Sequence, residues 1–257
     1  MPEVTAILVA YPPEWDALAP LVADAEEQRL HGLRTLTGTI DSRRVVLAHI
    51  GLSRVNAAMN AQLLLAKFPV TRIVVSGIAG GLDPTLAPGT IVVPERWGCF
   101  LEVAITGVSP LPLLPAATDL PPWGALVPRD TLCARPGEPE RAHRWFPVDA
   151  MLLRAAASAE PLVPLQVGGA GVSGSAFVDR ADYRDYLHAT FGAAVVDMET
   201  AAIAQVAMVN GVPFVGIRAI SDLAGGDTDG NRIAAGMAEA AHNAAATVRA
   251  LIAELPK

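Results

Sequence analysis

The chain has 257 residues, 52% of them apolar and 18% charged, with a formal net charge of −7 from 19 basic and 26 acidic side chains. That is too apolar for a disordered chain, and the acidic balance argues against a nucleic acid or an anionic membrane as partner, since both require a basic face. Two cysteines, Cys99 and Cys133, exclude a disulfide framework and a Cys-rich zinc site, and the five histidines show no metal-ligand spacing, so no metal and no cofactor is expected.

Short apolar runs alternate with longer amphipathic ones. VTAILVA (4–10) reads as a buried strand, and Pro12-Pro13 open a helix expected to run to about Ala23, because proline suits the first helical turn. RVVLAHI (44–50) is a second strand. A helix over 53–68 follows, with Ser53 as its N-cap and Val55, Met59, Leu63 and Leu64 on one face. Next come a buried strand over 72–81 that ends in glycines and another over 90–97. From about 98 to 145 the chain is rich in Pro and Leu without clear period, and it reads as an insertion within a single domain spanning 1–257. A helix near 148–158, a strand over 161–167, a glycine run, strand-like SAFV (175–178) and a helix over 180–191 follow. A strand over 193–198, a helix closed by Gly211, a strand over 212–222 and a helix over about 231–254 complete the chain. Continuously apolar, β-branched strands alternating with helices mean an α/β fold, a sheet covered by helices on both faces.

The N-terminal stretch has no basic region or cleavage site, and the longest uncharged run, between Glu102 and Asp119, is broken by Pro110, Pro112 and Pro115. No membrane span and a cytoplasmic location are therefore expected.

In an open α/β sheet, ligands bind beyond the carboxyl ends of the strands, so polar residues there carry the functional signal. Four groups qualify: Glu14, the glycine turn Gly77 to Gly81, the Asp197-Met198-Glu199 step, and Arg218 with Ser221-Asp222. Arg218 lies in an otherwise buried run, and a guanidinium keeps its proton, so it needs Glu14, Asp197 or Glu199 as a partner. Each residue also has a plain structural reading: a buried ion pair, a first-turn acid complementing a helix dipole, a strand-end turn residue. Their coincidence at one sheet edge is what points to a site. Gly169, Gly171 and Gly174 match the dinucleotide pattern G-x-G-x-x-G, but that pattern requires a helix opening at its third glycine, and here SAFV follows. A dinucleotide-dependent oxidoreductase is thus the weakest reading.

The blocks ILVAYPPEWDAL, GLSRVNAA, VVSGIAGGLDPTLAPGTIVVP, VSGSAFV, VVDMETAAIAQVA and VPFVGIRAISD occur in that order. Together they resemble the nucleoside phosphorylase/nucleosidase superfamily, most closely its hydrolytic branch, the methylthioadenosine/S-adenosylhomocysteine nucleosidases. The resemblance implies one α/β domain with a central, mixed, partly barrel-like sheet flanked by helices, usually a homodimer, acting on a small-molecule purine nucleoside. It places Asp222 as proton donor to purine N7 and Glu14 as the group that orients and deprotonates water. Met198 and Glu199 become the ribose-binding pair, with Glu199 ionised and accepting bonds from the 2′- and 3′-hydroxyls. Phe177 stacks on the base, the backbone of Val178 reads its edge, and Arg218 and Ser221 are supports, with Arg218 expected to hold Glu14 as the carboxylate. Ile78, Ala79 and Gly80 of the glycine turn, and Tyr11, line the substrate. Ile78 stands where relatives commonly carry Ser, Tyr11 where they carry Met, and Ser175 where they carry Asp.

Water or phosphate as nucleophile turns on whether arginine and hydroxyl donors form a phosphate fork. Val75 and Ile78 are apolar where the phosphorolytic branch has Arg and Thr or Ser, so hydrolysis is expected. The alternatives are a purine nucleoside phosphorylase and, from another class, a nucleoside-binding or storage protein. In the former, Arg54 is the candidate phosphate ligand, against its plainer reading as an exposed first-turn helix residue.

Overall fold

The computed structural model describes residues 3–105, 126–159, 161, 163–225 and 230–255. The first half contains β1 (Val4–Val9), α1 (Pro12–Leu18), β2 (Ala23–Leu30), β3 (Leu33–Ile40), β4 (Arg43–His49), α2 (Arg54–Lys67), β5 (Val70–Gly81), β6 (Ile91–Val93) and β7 (Arg96–Cys99). Five short strands follow: β8 (Val103–Ile105), β9 (Leu126–Pro128), β10 (Thr131–Cys133), β11 (Arg141–His143) and β12 (Trp145–Pro147). The rest comprises α3 (Ala150–Ala157), β13 (Leu165–Val167), β14 (Ala170–Ser173), α4 (Ala181–Phe191), β15 (Ala193–Asp197), α5 (Thr200–Asn210), β16 (Phe214–Leu223) and α6 (Gly230–Glu254).

Twelve strands form one mixed sheet in the order β12-β7-β14-β15-β5-β1-β4-β3-β2, with β16 joined to β5 and β6, and β13 joined to β6. The branch point is β5. Its first half pairs with β1 in parallel, its last residues Gly80 and Gly81 pair with β15 antiparallel, and β16 runs parallel to it from Ile73 to Gly81. One long strand thus gathers the ends of β1, β15 and β16 around its glycines. Alternate residues of the strands bury opposite ways, as their period of two requires. Leu8, Val46 and Val75 pack with α2 and α5, whereas Ile7, Leu47 and Val74 pack with α1, α3 and α6. The expected mixed sheet with helices on both faces is therefore present.

Several local expectations are corrected. The first helix stops at Leu18, because Pro20 has no N–H to continue it, and a 3₁₀ turn over Ala19–Leu21 leads into β2. β2 (ADAEEQRL) is solvent-exposed over nearly its whole length and pairs only with β3. On α2 the expected face holds only in its second half: Leu64 is buried and Leu63 packs against the core, whereas Val55 is 75% and Met59 57% exposed and Ala57 and Ala61 are buried in their place. α2 packs on α5, which is itself rich in alanine, and small side chains let the two helices approach closely. The 90–97 run is two strands, since Pro94 cannot donate to a ladder. SAFV is loop, not strand, and among the described residues of 161–167 strand is confined to Leu165–Val167. Within 98–145, β8 pairs with β9 and β10 with β11, while β12 joins the main sheet on β7. Positions 106–125 of that stretch lie outside the described residues. Among the described residues no helix is long and apolar enough to cross a membrane.

Candidate active site

Asp197 ends β15 and stands in register with Ser173 of β14, while Arg218 of β16 stands in register with Gly77 of β5. These registers bring the four sequence-predicted groups together. Arg218 is 1% exposed. Its Nε lies 2.8 Å from Asp197 Oδ2, its Nη1 3.7 Å from Glu14 Oε1 and its Nη2 3.8 Å from Glu199 Oε2. Nε and Nη2 also donate to Thr200 Oγ1 at 3.0 and 2.7 Å, and the Thr200 hydroxyl in turn donates to Asp197 Oδ2. Of the three carboxylates expected as partners, Asp197 lies closest to Arg218, and the expected pairing with Glu14 is present as a longer ion pair. Asp197 also accepts from the Ser173 hydroxyl and, on Oδ1, from the N–H groups of Glu199 and Thr200 at 3.2 and 3.1 Å. Such full satisfaction is what a buried charge pair requires.

Gly77 makes room for this cluster. A Cβ at that position would overlap both Arg218 Nη1 and Glu14 Oε1. Glu14, buried in the first turn of α1, folds back over the start of its own helix. Its Oε2 accepts from the N–H groups of Ala10 and Tyr11 at 2.8 and 3.0 Å, and its Oε1 accepts from that of Ile78 at 2.9 Å. An acceptor of three donated bonds is placed as a carboxylate is.

Glu199 occupies the N-cap position of α5 rather than its first turn. The Ser53 N–H donates to its Oε1 at 2.7 Å. Burial, reinforced by the Asp197 charge, pushes the Glu199 carboxyl up to about 7, against the opposing pull of Arg218 and of the Ser53 N–H. It is thus partly protonated near neutral pH, where the resemblance implied full ionisation. Ser53 reaches it from φ 77° and ψ 161°, a region that favours glycine, and its side chain caps nothing on α2. Asp222 is half-buried, and the Ser221 hydroxyl lies 2.5 Å from its Oδ1 and 3.4 Å from the Ala79 carbonyl.

A cavity of about 310 Å³ opens over this cluster. Tyr11 and Glu14, the turn Ile78-Ala79-Gly80, Phe177 and Val178, Met198 and Glu199, and Ser221 and Asp222 all line it. Every sequence-predicted site residue reaches the cavity except Arg218, which sits behind the wall. Ala176, Phe177 and Val178 come from the loop before α4, and Phe177 is 68% exposed at the rim. Ala10, Leu52, Val196, Asp197 and Met237 complete the wall. Sequence reasoning missed both Leu52, for which the GLS turn before α2 was the one available signal, and Met237 of α6, which nothing in the sequence marks. No Lys or Arg is among these lining residues. Arg54 is half-buried rather than exposed, and lies outside the lining. The dinucleotide pattern is set aside, since no helix opens at Gly174.

A family model described as the phosphorylase superfamily matches residues 4–255. The 5′-methylthioadenosine/S-adenosylhomocysteine nucleosidase of Mycobacterium tuberculosis is 30% identical over 267 residues, covering 100% of this chain and 98% of that protein. Among solved structures, the nucleosidase of the same name from Colwellia psychrerythraea in complex with adenine is similar at a TM-score of 0.79 and 27% identity, over 99% of this chain and 96% of that one. The enzyme from Neisseria meningitidis in complex with methylthio-immucillin-A is similar at a TM-score of 0.78 and 25% identity, over 98% of this chain and 100% of that one.

Proposed function

The chain belongs to the phosphorylase superfamily, and from that membership we propose that it hydrolyses the N-glycosidic bond of a purine nucleoside of the methylthioadenosine or S-adenosylhomocysteine kind, releasing the free base. The observation that carries this reading is the placing of three acids, Asp222, Glu14 and Glu199, around one cavity whose lining has no cation among the described residues.

Cleavage of the bond passes through an oxocarbenium-like sugar and a departing base that gains negative charge. Asp222 protonates the base at N7 and removes that charge, an effect worth about a hundred- to ten-thousand-fold. Ser221 orients the Asp222 carboxyl. Glu199, with Met198, holds the ribose hydroxyls and, once ionised, offsets the positive charge developing on the sugar. Glu14 aligns a water against the opposite face and takes its proton. Phe177 and Val178 face the base, and Ile78, Ala79 and Gly80 form the floor. Arg218 acts only through Asp197, Glu14 and Glu199. A phosphate nucleophile is disfavoured because the lining offers it no Lys or Arg, and the one guanidinium nearby is already matched by Asp197.

Incubation with methylthioadenosine, adenosine and inosine, with and without phosphate, tests the reading. Base release without phosphate is the expected result. Phosphate-dependent release indicates a phosphorylase, and binding without any release indicates a storage protein; either outcome removes the proposal.

The same reading includes a cytoplasmic homodimer, with 98–145 an insertion in one domain. Leu52, Val55 and Met59 around the start of α2 and Val209 on α5 expose apolar side chains that a second copy would cover. Sedimentation of Val55→Asp/Met59→Asp, expected to be monomeric against a dimeric parent, checks the assembly, and cell fractionation checks the location.

A further inference from the structure

β16 carries an irregularity at the residue before Asp222. Ile220 stands opposite Ala79 of β5 and Asp222 opposite Gly80, so Ser221 is an extra residue without a ladder partner on β5. Such a bulge bends its strand and re-aims the side chain that follows, which here is Asp222. The strand is anchored on either side of the bulge. The Gly89 N–H donates to the Ile220 carbonyl at 2.7 Å and the Ile220 N–H to the Thr90 carbonyl at 2.9 Å, while the Ala224 N–H donates to the Gly81 carbonyl at 3.1 Å. Between these anchors, α6 backs the bulge at Gly236.

Gly236 lies inside α6, in the run AAGMAEAA, where alanine is otherwise the small residue used. Glycine weakens a helix interior relative to alanine, so its use there calls for a local reason. The reason is close contact: a Cβ on Gly236 would stand 2.9 Å from the Ser221 carbonyl oxygen, nearer than a side-chain carbon and a backbone oxygen can rest. The neighbouring space is open. A second cavity of about 80 Å³ has the Pro88-Gly89 turn, Ser221, Gly236 and Ala240 in its wall, and Ser221 is the residue it shares with the substrate cavity. A carbonyl pressed by a Cβ therefore has room to move, and the bulge shifts while the fold survives. Met237, the next residue of α6, lines the substrate cavity, whereas Gly236 stands outside that lining.

We infer that Gly236 is a positioning residue for proton transfer: by letting α6 seat against the Ser221 carbonyl, it sets the direction from which Asp222 presents its carboxyl to the base. It acts through Ser221, whose hydroxyl lies 2.5 Å from Asp222 Oδ1. The inference rests on the nucleosidase reading, which gives Asp222 its task.

The test is Gly236→Ala, assayed with two substrates that differ in what their leaving group needs. The base of methylthioadenosine departs with a proton from the acid, whereas 5′-methylthio-p-nitrophenyl riboside releases a stabilised anion without one. In the variant, kcat for base release should fall about ten- to a hundred-fold, the upper end being the effect of a misplacement of about 1 Å. KM should stay within about threefold, because the lost interaction belongs to the transition state. Nitrophenolate release should stay close to the parent's. Adding Gly236→Ala to Asp222→Asn should slow single-turnover base release no further, since the donor is already gone. This double variant decides if the parent does not cleave the nitrophenyl substrate, and Gly236→Ala/Ala240→Gly, with more room behind the carbonyl, replaces Gly236→Ala if that variant does not fold. Equal losses on both substrates, additive losses in the double variant, or an unchanged kcat in the folded variant overturns the inference and leaves the nucleosidase reading standing. A parent that releases base only with phosphate loses that reading, and the same comparison run in phosphate then decides Gly236 alone. A parent that releases no base removes both.

Discussion

Arg218 Nε lies 2.8 Å from Asp197 Oδ2, while its closest approach to Glu14 is 3.7 Å, so the buried cation is matched by a carboxylate with no part in the proposed bond cleavage. Asp197 is in turn pinned by Ser173 and Thr200. Arg218→Met should therefore cost about 3 to 5 kcal/mol, because it leaves a buried carboxylate uncompensated. Adding Asp197→Asn should recover a good part of that loss. Urea denaturation of the two variants checks this, and a double variant no more stable than Arg218→Met alone contradicts it.

Gly77 gives the second expectation. The space a side chain would take there is filled by Arg218 Nη1 and Glu14 Oε1, neither of which can swing away without breaking its own bonds. Gly77→Ala should lose about 3 kcal/mol of stability. Residual base release in the folded fraction should drop as well, because Glu14 is displaced. Gly32, with nothing near its Cβ direction, serves as the control for an alanine substitution that the fold tolerates.

Glu199 makes the protein sensitive to pH in two opposite ways. Its carboxyl ordinarily titrates at 4.5 and is pushed up to about 7 by burial and by Asp197. Between those values the folded chain holds a proton that the unfolded chain has released, so this group's contribution to stability falls as pH rises through the window and is constant above it. The loss is up to about 3 kcal/mol. Activity runs the other way, since the ionised form accepts the ribose hydroxyls: kcat/KM should climb to a plateau above about pH 7. Glu199→Gln should flatten both profiles, as read by urea midpoints at pH 5 and pH 8 and by a pH–rate curve. A parent profile identical to that of Glu199→Gln would show that this carboxyl does not govern either.

Asp222→Asn should abolish base release, by about a hundred-fold or more, while nucleoside affinity stays within about tenfold. The amide keeps the shape and the Ser221 contact but has no proton to give. Near-normal turnover in this variant would remove Asp222 as the donor.

The strands and the site were legible in the sequence for one reason, and the misread parts were hidden for another. Runs such as 4–10 and 72–81 are continuously apolar because both faces of the sheet are covered, and Glu14, Asp197, Arg218 and Asp222 stand out as the polar residues where those runs end. What decides the partner of Arg218 is register between strands far apart in the chain, Ser173 beside Asp197 and Gly77 beside Arg218, and no local pattern encodes that. The first half of the α2 face was misread because hydrophobic periodicity weights size, so Val55 and Met59 outranked Ala57 and Ala61, which the close approach to α5 selects. β2 was missed because a strand exposed on both faces has a polar sequence with no alternation to detect. Leu52 and Met237 reach the cavity from elements whose contribution depends on how α2 and α6 pack.

That outlying β2 is an edge that its own sequence protects. Its free margin carries Asp24, Glu26 and Glu27, and the register slips between Ala23 and Glu26. A neighbouring chain trying to dock there by backbone pairing would confront like charges and a broken ladder, which blocks ribbon-like growth and the fibrils it can seed. Crowded molecules are thereby steered away from polymerising along that rim.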